Sequence, residues 1–425
     1  MDRLIMMLYR KIKVISVLLI LIVFNCTEEF AIETKDFESV LVVEATITNE
    51  FKHQKIKLSR TSLLEASEQV LENNADIKVI DNLGNTFTFS QNEAGVYISN
   101  TEFEAVPENI YNLHITTSAG KEYTSTNTKL TAVSQIDNIY PEYVNDDNKG
   151  PGVQILLDSQ NNDAASKYFR YEYEETYKLI VPLNYSYGVS FSNYTVFTDQ
   201  NCGIKVFYDV DIFLKEQEEQ TCFSTNRNLE IIQTSTTNLN ENNISRLPIR
   251  FLAADNGLGI IDTSVLRDRY SINVRQYVQS LEAYTYYKII AQLGNNESIL
   301  SGSQPGFVQG NLVSGANDSE RIVGFFEVSS VSEKRIFFDY TDVNIPLPEY
   351  LYDCDQQILD FNDNVDFPCE ELDANERNLL YILVTRENYK LFNYDEFSGL
   401  YSIAKQECVN CTSAGNNIQP DFWID

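Results

Sequence analysis

The chain has 425 residues, 62 acidic against 32 basic, for a formal charge of −30. A field of that sign repels the phosphate backbone, which excludes nucleic acid as a partner class and disfavours anionic lipid headgroups. With 43% apolar and 12% aromatic residues, disorder is excluded too, and the length calls for two or more cores.

In chain order, the first feature is a leader. Arg3, Arg10, Lys11 and Lys13 precede an apolar run from Val14 to Phe24 that is broken only by Ser16. That run is too short for a bilayer span, which needs about 20 apolar residues, so residues 1–25 are expected to be an export signal. Cys26, directly after Asn25, resembles the acylation site of a bacterial lipoprotein, and Thr27-Glu28-Glu29 resembles a surface-export tag. The expectation is an outer-membrane anchor through lipid on Cys26, surface-exposed or facing the periplasm. Residues 26–38 then form a polar tether.

From Val40 to Ile47 the sequence has strand character, and His53 to Leu58 alternates in part. Asp76 to Ile80 and Thr86 to Phe89 flank Asp81-Asn-Leu-Gly84, a hairpin signature. Gly95 to Ile98, Tyr111 to Thr116 and Lys121 to Ser125 follow, the last two joined by Thr117-Ser-Ala-Gly120. Seven short strands at this spacing predict an immunoglobulin-like β-sandwich over residues 39–135.

The segment from Ile139 to Pro151 reads as a linker or long entry loop, opening a larger β-rich domain over 136–425. Strands are expected at Gly152 to Leu157, Phe169 to Tyr177, Gly203 to Leu214, Leu229 to Thr234, Leu247 to Leu252 and Tyr270 to Tyr277. A helix is expected from Ser280 to Leu293, then strands from Arg321 to Val328 and Arg335 to Asp339 around a turn at Ser329 to Glu333. A second helix is expected over Leu372 to Leu383, with Asp373 and Glu376 placed as a capping box. The tail from Cys408 is loop-like, with Trp423 as its packing anchor. The fold class is therefore mainly β with a few short helices.

Six cysteines follow Cys26: Cys202, Cys222, Cys354, Cys369, Cys408 and Cys411. An even number in an exported chain suggests disulfides. Cys202 with Cys222 is the expected local pair, and the other four would cross-link the C-terminal segment. Their spacing is too irregular to suggest zinc.

Catalytic signals are weak. His53 and His114 are the two histidines, and nothing in sequence brings them together. No Gly-x-Ser-x-Gly elbow is present. Glu172, Glu174 and Glu175 could supply a glycosidase pair, the first two on one strand face, but next to Arg170 they read more simply as a salt-bridged surface. Asp360, Asn362, Asn364, Asp366 and Glu371 have calcium-loop spacing, with Val365 where the sharp turn needs Gly. A loose calcium site competes there with a solvated acidic loop. Tyr185, Tyr187, Phe191, Tyr194 and Phe197 form an aromatic excursion, either hairpin filling or a contact surface for protein or glycan.

The chain resembles the Bacteroidota lipoprotein family catalogued as domain of unknown function 4249. The residues carrying the resemblance are Val40-Leu-Val-Val-Glu-Ala, Tyr111-Asn-Leu-His-Ile with Gly120 and Tyr123, and Tyr168-Phe-Arg-Tyr-Glu-Tyr-Glu-Glu-Thr-Tyr177. They continue through Arg269-Tyr-Ser-Ile272, Glu282-Ala-Tyr284, Gln304-Pro305, Gly310-Asn311 and Gly324-Phe-Phe326 to Cys408-Val-Asn-Cys411 and Pro420-Asp-Phe-Trp423. The resemblance implies an outer-membrane lipoprotein that works beside a TonB-dependent receptor, and it brings no catalytic residue. The expected function is a non-enzymatic accessory or binding role. The alternative is a surface glycan-binding protein or a carboxylate-dependent glycan hydrolase.

Overall fold

A computed structural model describes residues 39–62, 70–160, 166–199, 203–239, 242–254, 262–294, 308–316, 320–360 and 379–425, without the side chains of 193–199 and 203–208. The first strands are β1 (Leu41–Thr48), β2 (Lys55–Arg60), β3 (Val70–Leu71), β4 (Asp76–Asp81), β5 (Thr86–Glu93), β6 (Val96–Ser99), β7 (Ile110–Thr116), β8 (Glu122–Ser125) and β9 (Thr128–Lys129). Next come β10 (Asn138–Asp146), β11 (Gly150–Gln160), β12 (Tyr168–Ile180), β13 (Tyr187–Asp199), β14 (Gly203–Leu214), β15 (Thr221–Arg227), β16 (Ile232–Ser235), β17 (Asn243–Ala253) and β18 (Arg269–Gln279). The last are β19 (Leu312–Ser314), β20 (Ile322–Ser329), β21 (Val331–Phe338), β22 (Gln356–Asp360), β23 (Tyr389–Asp395) and β24 (Leu400–Lys405). Among the described residues the α-helices Leu281–Gly294, Leu379–Thr385 and Gln406–Val409 and the 3-10 turns Asp262–Leu266 and Cys411–Ser413 complete a mainly β protein.

The first sheet has the order β19-β8-β7-β4-β5-β6-β2-β1-β20. Period-two alternation builds it: Leu41, Val43, Ala45 and Ile47 of β1 are buried, as are Tyr111, Leu113 and Ile115 of β7. These side chains share one core with Phe326 and Val328 of β20. β20 runs parallel to β1, from Leu41 opposite Ile322 to Thr48 opposite Ser329. The two ends of the strand path meet, so the sheet is a nearly closed barrel. Asn311, beside β19, donates to the Phe326 carbonyl at 2.9 Å and accepts from the Phe326 amide at 2.8 Å. Glycine makes that closure possible. A Cβ on Gly310 would lie 1.6 Å from the Gly324 carbonyl oxygen, and one on Gly324, at φ +138°, would lie 2.2 Å from that of Val43.

The second body is two facing sheets, β10-β11-β17 and β15-β12-β18-β21. Ile139, Val153, Ile155 and Leu157 of the first meet Phe169, Tyr171, Ile272 and Val274 of the second in one core. The expected linker is corrected here. Residues 138–146 are strand β10, paired with β11 through a tight turn in which Asp146 accepts from the amides of Asn148 and Lys149. Asn, Gly and Pro signal the turn but not the partner across it, and Pro141 is accommodated because β10 is an edge strand. The expected turn at 329–333 shrinks to Ser330, since β20 and β21 nearly abut.

Ser280 caps the helix Leu281–Gly294, its hydroxyl accepting from the Ala283 amide at 3.1 Å. The helix seats Ala283 and Tyr286 on Phe325 of β20. A third cluster forms a cap, in which the ribbon β13–β14 packs Val189, Phe191, Val210 and Ile212 on Leu391, Tyr401 and Ile403 of the sheet β22-β24-β23. The expected helix at 372–383 is described only from Leu379, so its capping box lies outside the described residues.

Candidate functional site

Alternation along β12 decides which charges face where. Phe169 and Tyr171 enter the sandwich core, so Arg170, Glu172 and Glu174 lie on the opposite face, toward the barrel and solvent. The register then sets Arg170 beside Tyr277, Glu172 beside Arg275 and Glu174 beside Asn273. Arg275 in turn lies beside Glu333. This is a lattice of alternating sign.

Its buried end joins the two bodies. Arg170 pairs with Glu172, and its Nη2 reaches Glu327 of the barrel strand β20 at 3.3 Å. Glu327 is 2% exposed and accepts further bonds from Gln279 at 3.1 Å and Ser329 at 2.8 Å. The Arg170 guanidinium stacks over Tyr277 at 4.3 Å and Tyr287 at 5.0 Å. Its Nε is buried without a hydrogen-bond partner. A second crossing runs from Arg275 to Glu50 of the barrel at 2.5 Å, and Arg275 also bonds Glu333 at 3.2 Å.

These neighbours set the protonation states. Burial pushes the Glu172 carboxyl up, but Arg170, the Tyr277 hydroxyl and Arg275 together hold it below the ordinary carboxylate range. Burial, with Glu172 beside it, pushes Tyr277 up to about 12. Burial works against the Arg170 charge, and Glu327 more than restores it, so its pKa lies above the ordinary arginine value.

The other carboxylates weighed from sequence are likewise engaged. Glu174 pairs with Arg227 at 2.9 Å and Arg335 at 3.3 Å. Glu175 points into the sandwich, where it accepts from the Tyr270 hydroxyl at 2.6 Å and pairs with Arg250 at 3.1 Å. His53 Nδ1 lies 2.7 Å from the Ser99 carbonyl, whereas His114 on β7 sits between Lys78 and Thr124. Among the described residues no group of three or more His, Cys, Asp or Glu is placed to hold a metal ion. Of the calcium candidates, Asp360 ends β22, while Asn362, Asn364, Asp366 and Glu371 lie outside the described residues. Cys26 lies outside them too, and no helix among them is long and apolar enough to cross a membrane.

The cap holds the aromatic candidates. Tyr185 leans on Tyr187 at 5.5 Å and Phe191 meets Tyr381 at 5.2 Å, so Tyr185 and Phe191 help to fill the cap core. Tyr187 stays exposed, and across the ribbon it faces Leu214. Leu214, 65% exposed, extends this patch, whereas Phe213, 47% exposed, lies opposite Gly188 on the other face of the ribbon. Phe213 folds over Gly188, where an added Cβ would lie 2.5 Å from its ring. Leu214 did not stand out in the sequence, because the pairing of β13 with β14 creates the patch. The side chains of Tyr194 and Phe197 lie outside the described residues.

Disulfides fasten the cap, and one expected pairing is corrected. Cys222 joins Cys411, not Cys202, because β15 places it beside the C-terminal turn, and Cys354 joins Cys408. Cys202 and Cys369 lie outside the described residues. Beyond that turn Trp423, 5% exposed, packs between Phe223 of β15 and Phe337 of β21, the anchoring role its sequence position suggested.

The fold and its charge lattice define a β-rich protein in which a barrel and a sandwich are joined by two ion-pair crossings, one of them buried, and closed by a disulfide-fastened cap. Residues 27–335 match the family described as domain of unknown function (DUF4249), and the chain belongs to that family. No curated protein matches it. Among solved structures, one titled biofilm associated protein, BSP domain, aligns at 9% identity with a TM-score of 0.09, too low to carry an argument. That alignment covers 70% of this chain and 58% of the other.

Proposed function

We propose that this chain is a lipid-anchored cell-envelope protein that acts by binding, as an accessory component of a TonB-dependent outer-membrane receptor. The observation that carries the binding role is the exposed pair Tyr187 and Leu214, which share one face of the ribbon on a cap fastened by two disulfides. Rigid aromatic area of this kind loses little entropy on contact and favours protein recognition. Lipid on Cys26, the outer-membrane location and the receptor partner follow from the leader sequence and the resemblance described above. The immunoglobulin-like reading of residues 39–135 rests on strand spacing alone.

The glycan hydrolase alternative is less well supported. A general acid needs a raised carboxyl pKa, and Glu172 is held below the ordinary range by its arginines. A pull-down from native membranes tests the binding reading. The parent chain is expected to recover a large β-barrel protein, and the Tyr187→Ala/Leu214→Ala variant to recover at least tenfold less while melting at the parent temperature. Equal recovery by a folded variant would remove the patch from the proposal.

A further inference from the structure

We propose that the barrel end where β1 begins rests on the bilayer headgroup layer and that the cap points away from it. The inference uses the Cys26 anchor of the preceding section and adds a direction to it. The strand registers place the start of β1, the end of β2 and the start of β20 at one end of the barrel. The same end carries the turns at 94–95 and 117–121. The opposite end is occupied by the sandwich. There Asn49 accepts from the Val331 amide at 2.7 Å, Thr131 donates to the Val278 carbonyl at 2.8 Å, and Glu50 holds Arg275.

From that junction β12 leads away, its start at Tyr168 opposite Gln279 and its far end at Ile180 opposite Thr221, next to Cys222 and the cap. At about 3.3 Å per residue, the eight residues of β1 and the thirteen of β12 reach roughly 70 Å in all. The thirteen residues from Cys26 to Glu38 can reach at most about 45 Å, whatever their conformation. The near end of the barrel is therefore within reach of the anchor, and with the body upright the cap is not. A body lying flat would bring more of its acidic surface against anionic headgroups. The near end also presents a surface suited to the headgroup boundary. Val70 and Leu71 expose apolar side chains there, and the neighbouring turn Ser118-Ala119-Gly120 is small and exposed.

Energy transfer to a lipid-borne acceptor tests the direction. One fluorophore is attached at Ala119→Cys in the near turn, or at Phe397→Cys in the β23–β24 turn of the cap, both exposed sites. The acylated chain is then reconstituted in vesicles of phosphatidylcholine with a phosphatidylglycerol fraction and a rhodamine lipid, with labelling of the parent chain as baseline. Transfer from position 119 is expected to exceed that from position 397 at least threefold. Equal or reversed transfer from a protein that floats with the vesicles overturns the orientation and leaves the anchor standing. A chain that does not float, with Cys26 unmodified by mass spectrometry, overturns both.

Discussion

At the scale of single residues, Arg170 has the largest consequence. Its guanidinium neutralises Glu327, which is buried in the junction between barrel and sandwich. Removing one partner of a buried pair leaves an uncompensated charge, at a cost of about 3–5 kcal/mol. Arg170→Met is expected to lower stability by that amount, read from the denaturant midpoint at constant slope. Arg170→Met/Glu327→Leu should recover much of the loss, since a well-packed apolar pair removes the stranded charge. Asp81 supplies a pH-dependent counterpart. Burial raises its carboxyl pKa, but the side chain and amide of Asn85 and the amides of Leu83 and Gly84 outweigh burial and hold it below the ordinary 3.8. The unfolded chain therefore takes up this proton first as pH falls. Stability from Asp81 is complete above the ordinary value and declines as pH drops through the lower folded value. Asp81→Asn is expected to flatten that acid limb in melts between pH 5 and pH 2, and an unchanged limb would refute the assignment.

Among the elements, the C-terminal strap spans strands that are distant in sequence. Trp423 bridges Phe223 and Phe337, Arg335 lies 3.7 Å over Phe422, and Lys178 pairs with Asp425 at 2.8 Å. Truncating a buried aromatic costs about 3–5 kcal/mol, so Trp423→Ala should lower the melting temperature by several degrees. Lys178→Ala, on a pair whose acid is exposed, should change it little. The ribbon β13–β14 shows where reading from sequence stopped. Its aromatic content was visible in the chain, but which rings fill the cap and which stay exposed depends on the partner strand and on β23.

For the whole molecule, the path of the chain matters most. The barrel starts with β1 and is completed by β19 and β20 only after the sandwich has been inserted between them. The disulfides extend this long-range wiring, since Cys222–Cys411 spans 189 residues and Cys354–Cys408 spans 54. Peptide mapping without reduction is expected to recover both pairs. Cys222→Ser/Cys411→Ser should lose up to about 5 kcal/mol in the chain-entropy account of cross-links. Recovery of a Cys202–Cys222 peptide would contradict the arrangement.

Local physics was legible along the chain. The strand character of Val40 to Ile47, the Asp81 turn and the helix after Ser280 all follow from neighbouring residues, because period and turn are short-range properties. The sequence by itself therefore determined the mainly β class, the oxidised cysteines and the outward row of charges on β12. Tertiary structure alone decided that β1 pairs with β20, that Arg170 meets Glu327, that Cys222 meets Cys411, and that Leu214 joins Tyr187 at the surface. Each of these depends on which distant backbone lies opposite. Loop-closure entropy changes only slowly with the length of the intervening chain, so sequence distance gives little indication of the partner.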